Sequence, residues 1–358
     1  MALKYLAVLL LVCVFDSASA TVVADLDTDY GGVPVRISRL LGEPSVTSLQ
    51  GRMDAAWFRA NNPQACPQQC DCPIQWPTAL YCDHKGLADI PDSLPNRTQY
   101  LFLQANNISS LSSSFLTKLT ALRWLILDHN QLQELVALQT QTQMYYFFAN
   151  HNHLRSVPST LPAGLKELRL AHNQISSISP GAFQNLQNLT LLLLQGNRLQ
   201  TIVEGDLKGR VMLGICSWLS PEIYPPSVQQ LYMSNNTLIG LDEDSLRGFL
   251  KLKYLRLSHC GLQSSNVYQQ VFNFTSLVEL DLSHNKLKTI PTVATTLQYL
   301  YLEANEIQDF NVNSFCRHWG PLSYSRMKIL RLEGNKISYQ QLPSNWVFCL
   351  RVLESIYI

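Results

Sequence analysis

One short phrase recurs along this chain and constrains its fold more than any other feature. It reads apolar, two residues, Leu, any residue, Leu, two residues, Asn, any residue, Leu or Ile, and it is complete from Leu122 to Leu132. A unit this short cannot close a hydrophobic core alone, so its copies must stack. We call the residue at the Asn position of each of the ten copies the ladder residue. The ladder residues are Asn106, Asn130, Asn152, Asn173, Asn197, Asn236, Cys260, Asn285, Asn305 and Asn335.

The two leucines alternate with period two, which predicts one short strand per copy with one face buried. Stacked copies pair these strands into a parallel sheet over a continuous leucine core. A buried ladder amide has a donor and an acceptor, so it can bond the backbone of its own turn and of the next. The pattern is that of a leucine-rich repeat. We predict an α/β-type leucine-rich repeat solenoid with a curved parallel β-sheet on the concave face, short extended or 3-10 segments on the convex face, and disulfide-capped ends.

The repeat is irregular in one place. Successive ladder residues are 24, 22, 21, 24, 39, 24, 25, 20 and 30 positions apart. The step of 39 is too long for one ordinary turn and somewhat short for two. It contains the stretch 201–226, where the phrase has decayed, and we interpret that stretch as a damaged or rebuilt turn or as an error in the recorded sequence.

The ends of the chain predict export. Residues 1–20 have a lysine near the start, an apolar run and a small-residue exit, which is typical of a secretory signal peptide. No later apolar run is long enough to span a bilayer, so we expect a secreted chain without a membrane anchor. The net charge of +1 and 15% charged residues argue against nucleic-acid binding. We assign residues 21–65 to a flexible extension, 66–97 to an N-terminal cysteine cap, 98–310 to the repeats and 311–358 to a C-terminal ear repeat and cap.

The cysteines are grouped at the two ends of the repeat array. Cys66, Cys70, Cys72 and Cys82 precede the first turn, and Cys316 and Cys349 bracket the last. In an exported solenoid, disulfides that close the exposed ends of the core are the expected use of such residues. A zinc cluster is the alternative, but it needs reduced thiols. Two cysteines inside the array, at positions 216 and 260, stand in turns roughly 10 Å apart, and we predict that both are free thiols.

The cysteine spacing, the proline-marked short turns such as Ile290-Pro291 and the long final turn resemble the class II small leucine-rich proteoglycans. Longer runs, Ser276–Val293 and Ser314–Ser325, carry the resemblance more specifically. It implies the disulfides Cys66–Cys72, Cys70–Cys82 and Cys316–Cys349, binding to fibrillar collagen, control of fibril diameter and spacing, and keratan sulfate on asparagine. The chain departs from the family near 133–146 and 201–226, so no family contact is carried over there.

Modification signals follow from the expected export. Asn-x-Ser/Thr sequons are N-glycan candidates, and Asn188 and Asn273 also coincide with sequons of the family. The five sequons are at Asn96, Asn107, Asn188, Asn235 and Asn273. Tyr30 follows three nearby aspartates and is a sulfotyrosine candidate, although an unmodified tail is the simpler interpretation. The acidic tail of the family is otherwise reduced here to this single tyrosine.

Residues six, four and two positions before each ladder residue are predicted to point away from the leucine core, onto the concave face. Tyrosine and mixed charges there would suit a stiff rod with exposed carbonyls and scattered charges; otherwise they only solubilise the sheet. From residue 167 onward, the tyrosines and charged residues at these positions are Glu167, Arg169, Tyr232, Tyr254, Arg256, Glu279, Asp281, Tyr299, Tyr301, Glu303, Arg331 and Glu333. We take all of them except Glu167 and Tyr299 as collagen-contact candidates.

Five histidines directly precede ladder residues, at positions 129, 151, 172, 259 and 284. Adjacent turns would hold such rings about 5 Å apart. At that distance the rings could bind a shared metal ion or shift each other's pKa. Alternatively, histidine is simply accepted at this turn position, and we favour this second interpretation. We predict no metal and no cofactor.

The sequence contains no Gly-x-Ser-x-Gly motif, no His-Glu-x-x-His motif and no glycine-rich phosphate loop, so we predict that the protein is not an enzyme. We predict a secreted matrix glycoprotein that binds fibrillar collagen through its concave face, with growth factors or other matrix proteins as further candidate partners. The alternative is a soluble ligand trap or innate-immune recognition module built on the same solenoid.

Overall fold

The computed structural model describes residues 65–358 except 74–75, 112, 136–137, 139, 159–160, 179–181, 184, 202–226, 319 and 321–322. The described residues belong to one compact unit, Asp54–Ile358. The predicted signal peptide, Tyr30, most of the predicted 21–65 extension and Cys216 lie outside the described residues.

Twelve strands of three residues form one parallel sheet in which chain order and spatial order coincide. They are β1 (Ala79–Tyr81), β2 (Tyr100–Phe102), β3 (Trp124–Ile126), β4 (Tyr146–Phe148), β5 (Glu167–Arg169), β6 (Leu191–Leu193), β7 (Gln230–Tyr232), β8 (Tyr254–Arg256), β9 (Glu279–Asp281), β10 (Tyr299–Tyr301), β11 (Ile329–Arg331) and β12 (Ser355–Tyr357). The prediction of a leucine-rich repeat solenoid with a parallel sheet is confirmed. Ten strands precede the ten ladder residues, and β1 and β12 extend the sheet by one strand at each end.

Each of the strands β1–β11 buries its central residue in a single core that runs through the turns, and Ile356 of β12 is half-buried against that core. Leu125 in β3 and Leu168 in β5 are fully buried, and the second leucine of each phrase, such as Leu127, is buried just after the strand ends. In β4 the central position is held by Phe147, which is also fully buried. The core therefore accepts a larger apolar side chain in a turn where the leucine pattern is weak.

The ladder amides join consecutive turns as predicted. Asn130 donates from Nδ2 to the carbonyl of Leu103 in the preceding turn (2.9 Å) and to that of Leu127 in its own turn (3.0 Å). Its Oδ1 accepts from the backbone N–H of Ile108 (3.1 Å). Because each amide satisfies backbone groups that the bend leaves unpaired, the asparagines stabilise the corner of each turn that carries one.

The step of 39 residues forms only one turn of the sheet. β6 pairs directly with β7, with Leu192 opposite Leu231. Asn236 donates to the carbonyl of Leu194 in the preceding turn (3.0 Å), as its counterparts do elsewhere. The extra length lies in the 202–226 stretch outside the described residues, and the sheet and its ladder continue across it.

The position before each ladder residue has a left-handed backbone. All five predicted histidines have φ between 51° and 55° there, and Ala105, Asn235 and Ala304 have φ between 53° and 56°. The histidine rings stack across neighbouring turns: His129 and His151 have centroids 4.3 Å apart, His151 and His172 4.4 Å, and His259 and His284 4.2 Å. The histidines are thus a turn feature, since polar residues tolerate this conformation better than branched ones.

The return segments contain little regular structure. There is an α-helix α1 (Ser113–Lys118), a short helix α2 (Trp346–Cys349), and 3-10 turns at Val312–Ser314 and Tyr339–Gln341. Isolated parallel bridges such as Ser156–Ser177 link neighbouring return segments. The turn with α1 is more helical than the extended or 3-10 character that we predicted for this side.

Disulfides close both ends of the core. Cys66 pairs with Cys72 and Cys70 with Cys82 before β2, and an antiparallel bridge between Asp71 and Tyr81 holds the cap on β1. Cys316 pairs with Cys349 across 33 residues that include β11. Cys260 is a free, buried thiol. Burial is the first cause that raises the pKa of this thiol, to about 12, so it is inert at neutral pH.

Candidate functional site: the open face of the sheet

The side chains that point away from the leucine core form what we call the open face of the sheet. It consists of the first and third residue of each strand and of the residue two positions before each ladder residue. Every turn contributes to it at a spacing of about 4.8 Å, so it forms a long surface whose composition is read strand by strand.

The strand positions of the open face in β1–β4 are largely aromatic and carry no charge. Tyr100, Trp124 and Tyr146 form a row across adjacent strands, with centroids 5.7 Å and 4.6 Å apart. Trp76, on the segment before β1, extends the row at 4.7 Å from Tyr100. These four rings are half-buried. We call the open face of β1–β4 its aromatic half. We did not predict it, although the sequence has aromatic residues at the first strand position in β2, β3 and β4.

Arg169 and Tyr232, two of the predicted contact residues, are buried within the face. Arg169 is 2% exposed, with its guanidinium 4.3 Å from the ring centroid of Phe148 and paired with Glu167. Tyr232 is 5% exposed, and its hydroxyl donates to Gln230 Oε1 (3.2 Å). Because neighbouring residues of the chain bury both side chains and occupy their polar groups, we remove Arg169 and Tyr232 from the collagen-contact candidates.

The open face of β8 and β9 carries a partly desolvated ion pair. Arg256 donates from Nη2 to Glu279 Oε1 (2.9 Å) and from Nε to the same oxygen (3.1 Å). Its guanidinium also lies 4.8 Å from the ring of Tyr232. Burial is the largest single effect and lowers the pKa of Arg256, but the charges of Glu279, Tyr232 and Asp281 and the hydrogen bond to Glu279 together outweigh it, so the pKa is raised. The pair is therefore a fixed feature of the surface.

β10 and β11 continue the charged surface with a three-membered cluster. Arg331 lies 3.6 Å from Glu303 and donates from Nε to Glu333 Oε1 (2.8 Å). Burial is the first cause that raises the pKa of Glu303, and the neighbouring carboxylates Asp281 and Glu333 add to it while Arg331 opposes them. Two arginines face four carboxylates in β8–β11 (Arg256 and Arg331 against Glu279, Asp281, Glu303 and Glu333), which leaves a formal charge of 2 − 4 = −2.

Eight of the ten predicted contact residues are brought together on four adjacent strands. All eight are half-buried, so each retains exposed surface. They are Tyr254, Arg256, Glu279, Asp281, Tyr301, Glu303, Arg331 and Glu333. The open face thus has an aromatic half on β1–β4 and a charged half on β8–β11, with β5–β7 between them.

Asp128 is a buried carboxyl at the edge of the aromatic half. Its Oδ1 accepts from the backbone N–H (2.7 Å) and from Nδ2 (3.0 Å) of Asn150, whose Oδ1 in turn accepts from the N–H of Ala171. Desolvation outweighs these hydrogen bonds and raises the pKa of Asp128 to about 6. This residue was not among our predicted site residues, and its sequence context offers no signal for its burial.

All five sequon asparagines are exposed and none is on the open face. Asn96, Asn188 and Asn273 are on segments that lead into a strand, whereas Asn107 and Asn235 adjoin ladder residues on the opposite edge of the sheet. Glycans at these positions remain predictions, and their attachment points leave the open face uncovered.

Two observations on the described residues concern metal ions and membranes. Within them, no group of three or more His, Cys, Asp or Glu side chains is placed to hold a metal ion. No helix in the described part of the chain is long and apolar enough to cross a membrane.

Comparison with known proteins gives consistent matches. Family models described as "Leucine rich repeat" match residues 145–199 and 163–213, and one described as "Leucine Rich Repeat" matches 276–294. Lumican of Gallus gallus is 39% identical over 305 residues, covering 81% of this chain and 88% of that protein. The chain belongs to the class II small leucine-rich proteoglycans.

Other members of this family match over similar lengths. Fibromodulin of Bos taurus is 37% identical, covering 83% of this chain and 81% of its own. Keratocan of Danio rerio is 36% identical, and the match covers 82% of this chain and 89% of that protein. A solved structure described as an octameric complex of Latrophilin 3, Unc5D and FLRT2 (LRR) matches with a TM-score of 0.68 and 22% identity over 81% of this chain and 83% of that chain. It shares the fold.

The family resemblance stated from the sequence is confirmed by the matches to lumican, fibromodulin and keratocan. A proteoglycan family and a solenoid fold are typical of proteins that bind rather than catalyse. In this class II proteoglycan, the open face is the best candidate for a binding surface.

Proposed function

We propose that this protein is a secreted extracellular-matrix glycoprotein that binds fibrillar collagen through the charged half of its open face and limits the lateral growth of fibrils. The observation that carries the proposal is the set of half-buried tyrosines and paired charges on four adjacent strands, β8–β11. They form a row perpendicular to the strands, which is the direction in which a rod-shaped ligand would contact every turn.

The chemistry of this row suits a triple helix. Collagen chains are extended, stiff and without internal hydrogen bonds, so they offer carbonyls, imino rings and charged side chains to a partner. Tyr254 and Tyr301 supply flat apolar area with a polar end, which is a property of interface cores. The formal charge of −2 favours a segment of collagen rich in lysine or arginine, because charge complementarity sets register and partner choice.

Control of fibril width follows from geometry in this proposal. The sequon asparagines surround the sheet without occupying its open face, so hydrated glycans would extend from a bound molecule toward neighbouring fibrils. Sensitivity of the purified protein to keratanase tests whether those glycans are keratan sulfate. Resistance to the enzyme would restrict the proposal to collagen binding by a glycoprotein.

The binding step is tested with an isosteric double variant, Asp281→Asn/Glu303→Gln. Removing two charges from the row should weaken binding to immobilised collagen about tenfold or more. Asp309→Asn/Glu354→Gln is the matched control, since it removes the same two charges at exposed carboxyls outside the open face. Unchanged turbidity kinetics and unchanged fibril width at saturating wild-type protein would reject the proposal as a whole.

The aromatic half of the face favours a second candidate, a soluble ligand trap or innate-immune recognition module. Rings such as Trp124 and Tyr146 are typical of protein interfaces, and the solved relative of this fold comes from a complex of several proteins. Capture on collagen beads is compared with capture on growth-factor and lipopolysaccharide beads. Retention on collagen that survives Trp124→Ala but is lost in the double variant separates the two candidates.

A further inference from the structure

A cavity of about 450 Å³ lies among the return segments, between residues 243–250 and 268–276. Buried apolar residues of its lining include Leu246, Phe249 and Val271. Leu250, which is 69% exposed, and Tyr268, which is 40% exposed, also line it. Exposed apolar groups gathered in one concave place are characteristic of a site that is covered in the functional molecule.

A second cavity of about 300 Å³ lies beside the first, with Thr292, Thr295 and Asn313 in its lining. Asn273 and Thr275, the first and third residues of one sequon, line both cavities. Both residues are exposed. The predicted glycan attachment point is therefore situated where the two cavities meet.

We propose that the N-linked glycan on Asn273 packs into these cavities and forms a fixed part of the folded molecule. The proposal rests on glycosylation at Asn273, which belongs to the proposed function. A covalently attached occupant needs no separate partner, and its first sugars cannot leave the neighbourhood of both cavities.

The lining matches the chemistry of a sugar. A pyranose ring has an apolar C–H face and a rim of hydroxyls, and an aromatic side chain with a polar end accommodates both. Tyr268 and Leu250 offer the apolar contact, and Glu243 together with the ion pair of Asp244 and Arg247 (3.1 Å) offers polar groups for the hydroxyls. Because the attachment is intramolecular, the effective concentration of the sugar is high, and weak contacts suffice to hold it.

Such packing gives the glycan a direction. It holds the first sugars against the return segments, away from the strands and from the open face. Any extension of this glycan would then start from a fixed position instead of from a freely rotating side chain. Asn188 lines neither of the two cavities, which makes its glycan the internal reference.

The test uses full-length protein secreted from mammalian cells. Glycan occupancy at Asn273 and Asn188 is first measured by peptide mass spectrometry. The native protein is then treated with peptide N-glycosidase, and the release rate is followed at each site. The comparison is between wild type and the double variant Leu250→Ser/Tyr268→Ser, whose side chains are exposed enough for the fold to tolerate the change. Ile239→Ser, which removes an apolar side chain that is 59% exposed and lines neither cavity, is the control.

We expect release at Asn273 to be about tenfold faster in the double variant than in wild type, equivalent to about 1.4 kcal/mol of contact. Release at Asn188 should not change in any variant, and Ile239→Ser should behave as wild type. Equal rates at Asn273 in wild type and double variant overturn the packing proposal alone. An unoccupied Asn273 overturns glycosylation at this site, and the packing proposal with it.

Discussion

A Cβ atom built on Gly196 would lie 2.5 Å from Nδ1 of His172 in the preceding turn. Gly196 occupies the left-handed position before its ladder residue, with φ of +67°. The ring of His172 stacks on His151 on its other side. Gly196 therefore ends the first column of stacked histidines, because a side chain there would collide with the last ring.

Gly196→Ala should lower the free energy of unfolding by roughly 2–4 kcal/mol. Alanine at positive φ costs about 1 kcal/mol or a little more, and alanines at the same position in two other turns accept it. The remainder comes from the contact with His172, at about 1–3 kcal/mol. Urea denaturation measures the loss.

The matched control is Gly261→Ala. Gly261 has φ of +71°, but no heavy atom lies within 4 Å of the position that a Cβ would take there. This variant should lose only the backbone contribution. If the two variants are equally destabilised, or if adding His172→Ala does not relieve Gly196→Ala, steric conflict with the ring is not the cause.

Cys260→Asn should stabilise the protein by about 1 kcal/mol. In other turns the ladder oxygen accepts a backbone N–H, as Asn236 does from Leu199 (2.9 Å) and Asn305 from Leu287 (3.0 Å). The thiol of Cys260 instead makes long contacts with the carbonyls of Met233 (3.3 Å) and Ser258 (3.4 Å). An asparagine amide at this position would restore the stronger hydrogen bonds of the other turns. Thermal unfolding compares the Cys260→Asn variant with Cys260→Ala and with wild type. A lower unfolding midpoint for Cys260→Asn than for wild type would refute the argument.

Asp128→Asn should stabilise the protein at pH 7 and have little effect near pH 4. The folded pKa of Asp128, about 6, is above the ordinary value of 3.8. The stability contributed by the protonated carboxyl is therefore complete below about pH 3.8 and is lost as the pH rises through about 6. A pKa difference of this size corresponds to about 3 kcal/mol, which is an upper limit for the gain in the free energy of unfolding at pH 7.

The pH dependence of the urea midpoint measures this effect. Asp309→Asn, at an exposed carboxyl, changes the net charge equally and should leave the pH profile as it is in wild type. A parallel profile for Asp128→Asn would show that its carboxyl is not the titrating group.

Removing the C-terminal disulfide should cost more than removing the first N-terminal one. Cys316 and Cys349 close 33 residues, whereas Cys66 and Cys72 close only 6. The loop-closure relation gives roughly 3.7 kcal/mol for the longer loop and about 2 kcal/mol for the shorter. Paired Cys→Ser variants and urea denaturation measure the difference, and the reverse order would contradict the loop-entropy account.

Much of the architecture was predictable from the chain because the repeat is a local pattern. The period of the leucines predicted a strand in each turn, and the chemistry of the amide predicted the ladder. β1 and β12 were not predicted, because Ala79–Tyr81 and Ser355–Tyr357 lack a ladder residue and join the sheet only by pairing with β2 and β11. The single turn across the 39-residue step was likewise decided by pairing.

The open face was predicted in outline but not in its partition. Strand alternation assigned each residue to a face, which is why eight charged and tyrosine side chains were found together. The burial of Arg169 depends on Phe148 and Glu167, and that of Asp128 on Asn150. Such packing cannot be read from the period of the pattern.

The sequence by itself determined the solenoid, the faces of its strands and the family, because these follow from periodicity and residue chemistry at fixed spacing. The tertiary structure decided which side chains are consumed by their neighbours and which remain exposed. It also decided that Asn273 lies where two cavities meet. The physical reason is that burial and desolvation depend on what adjacent turns place beside a residue, some 20 to 40 positions away in the chain.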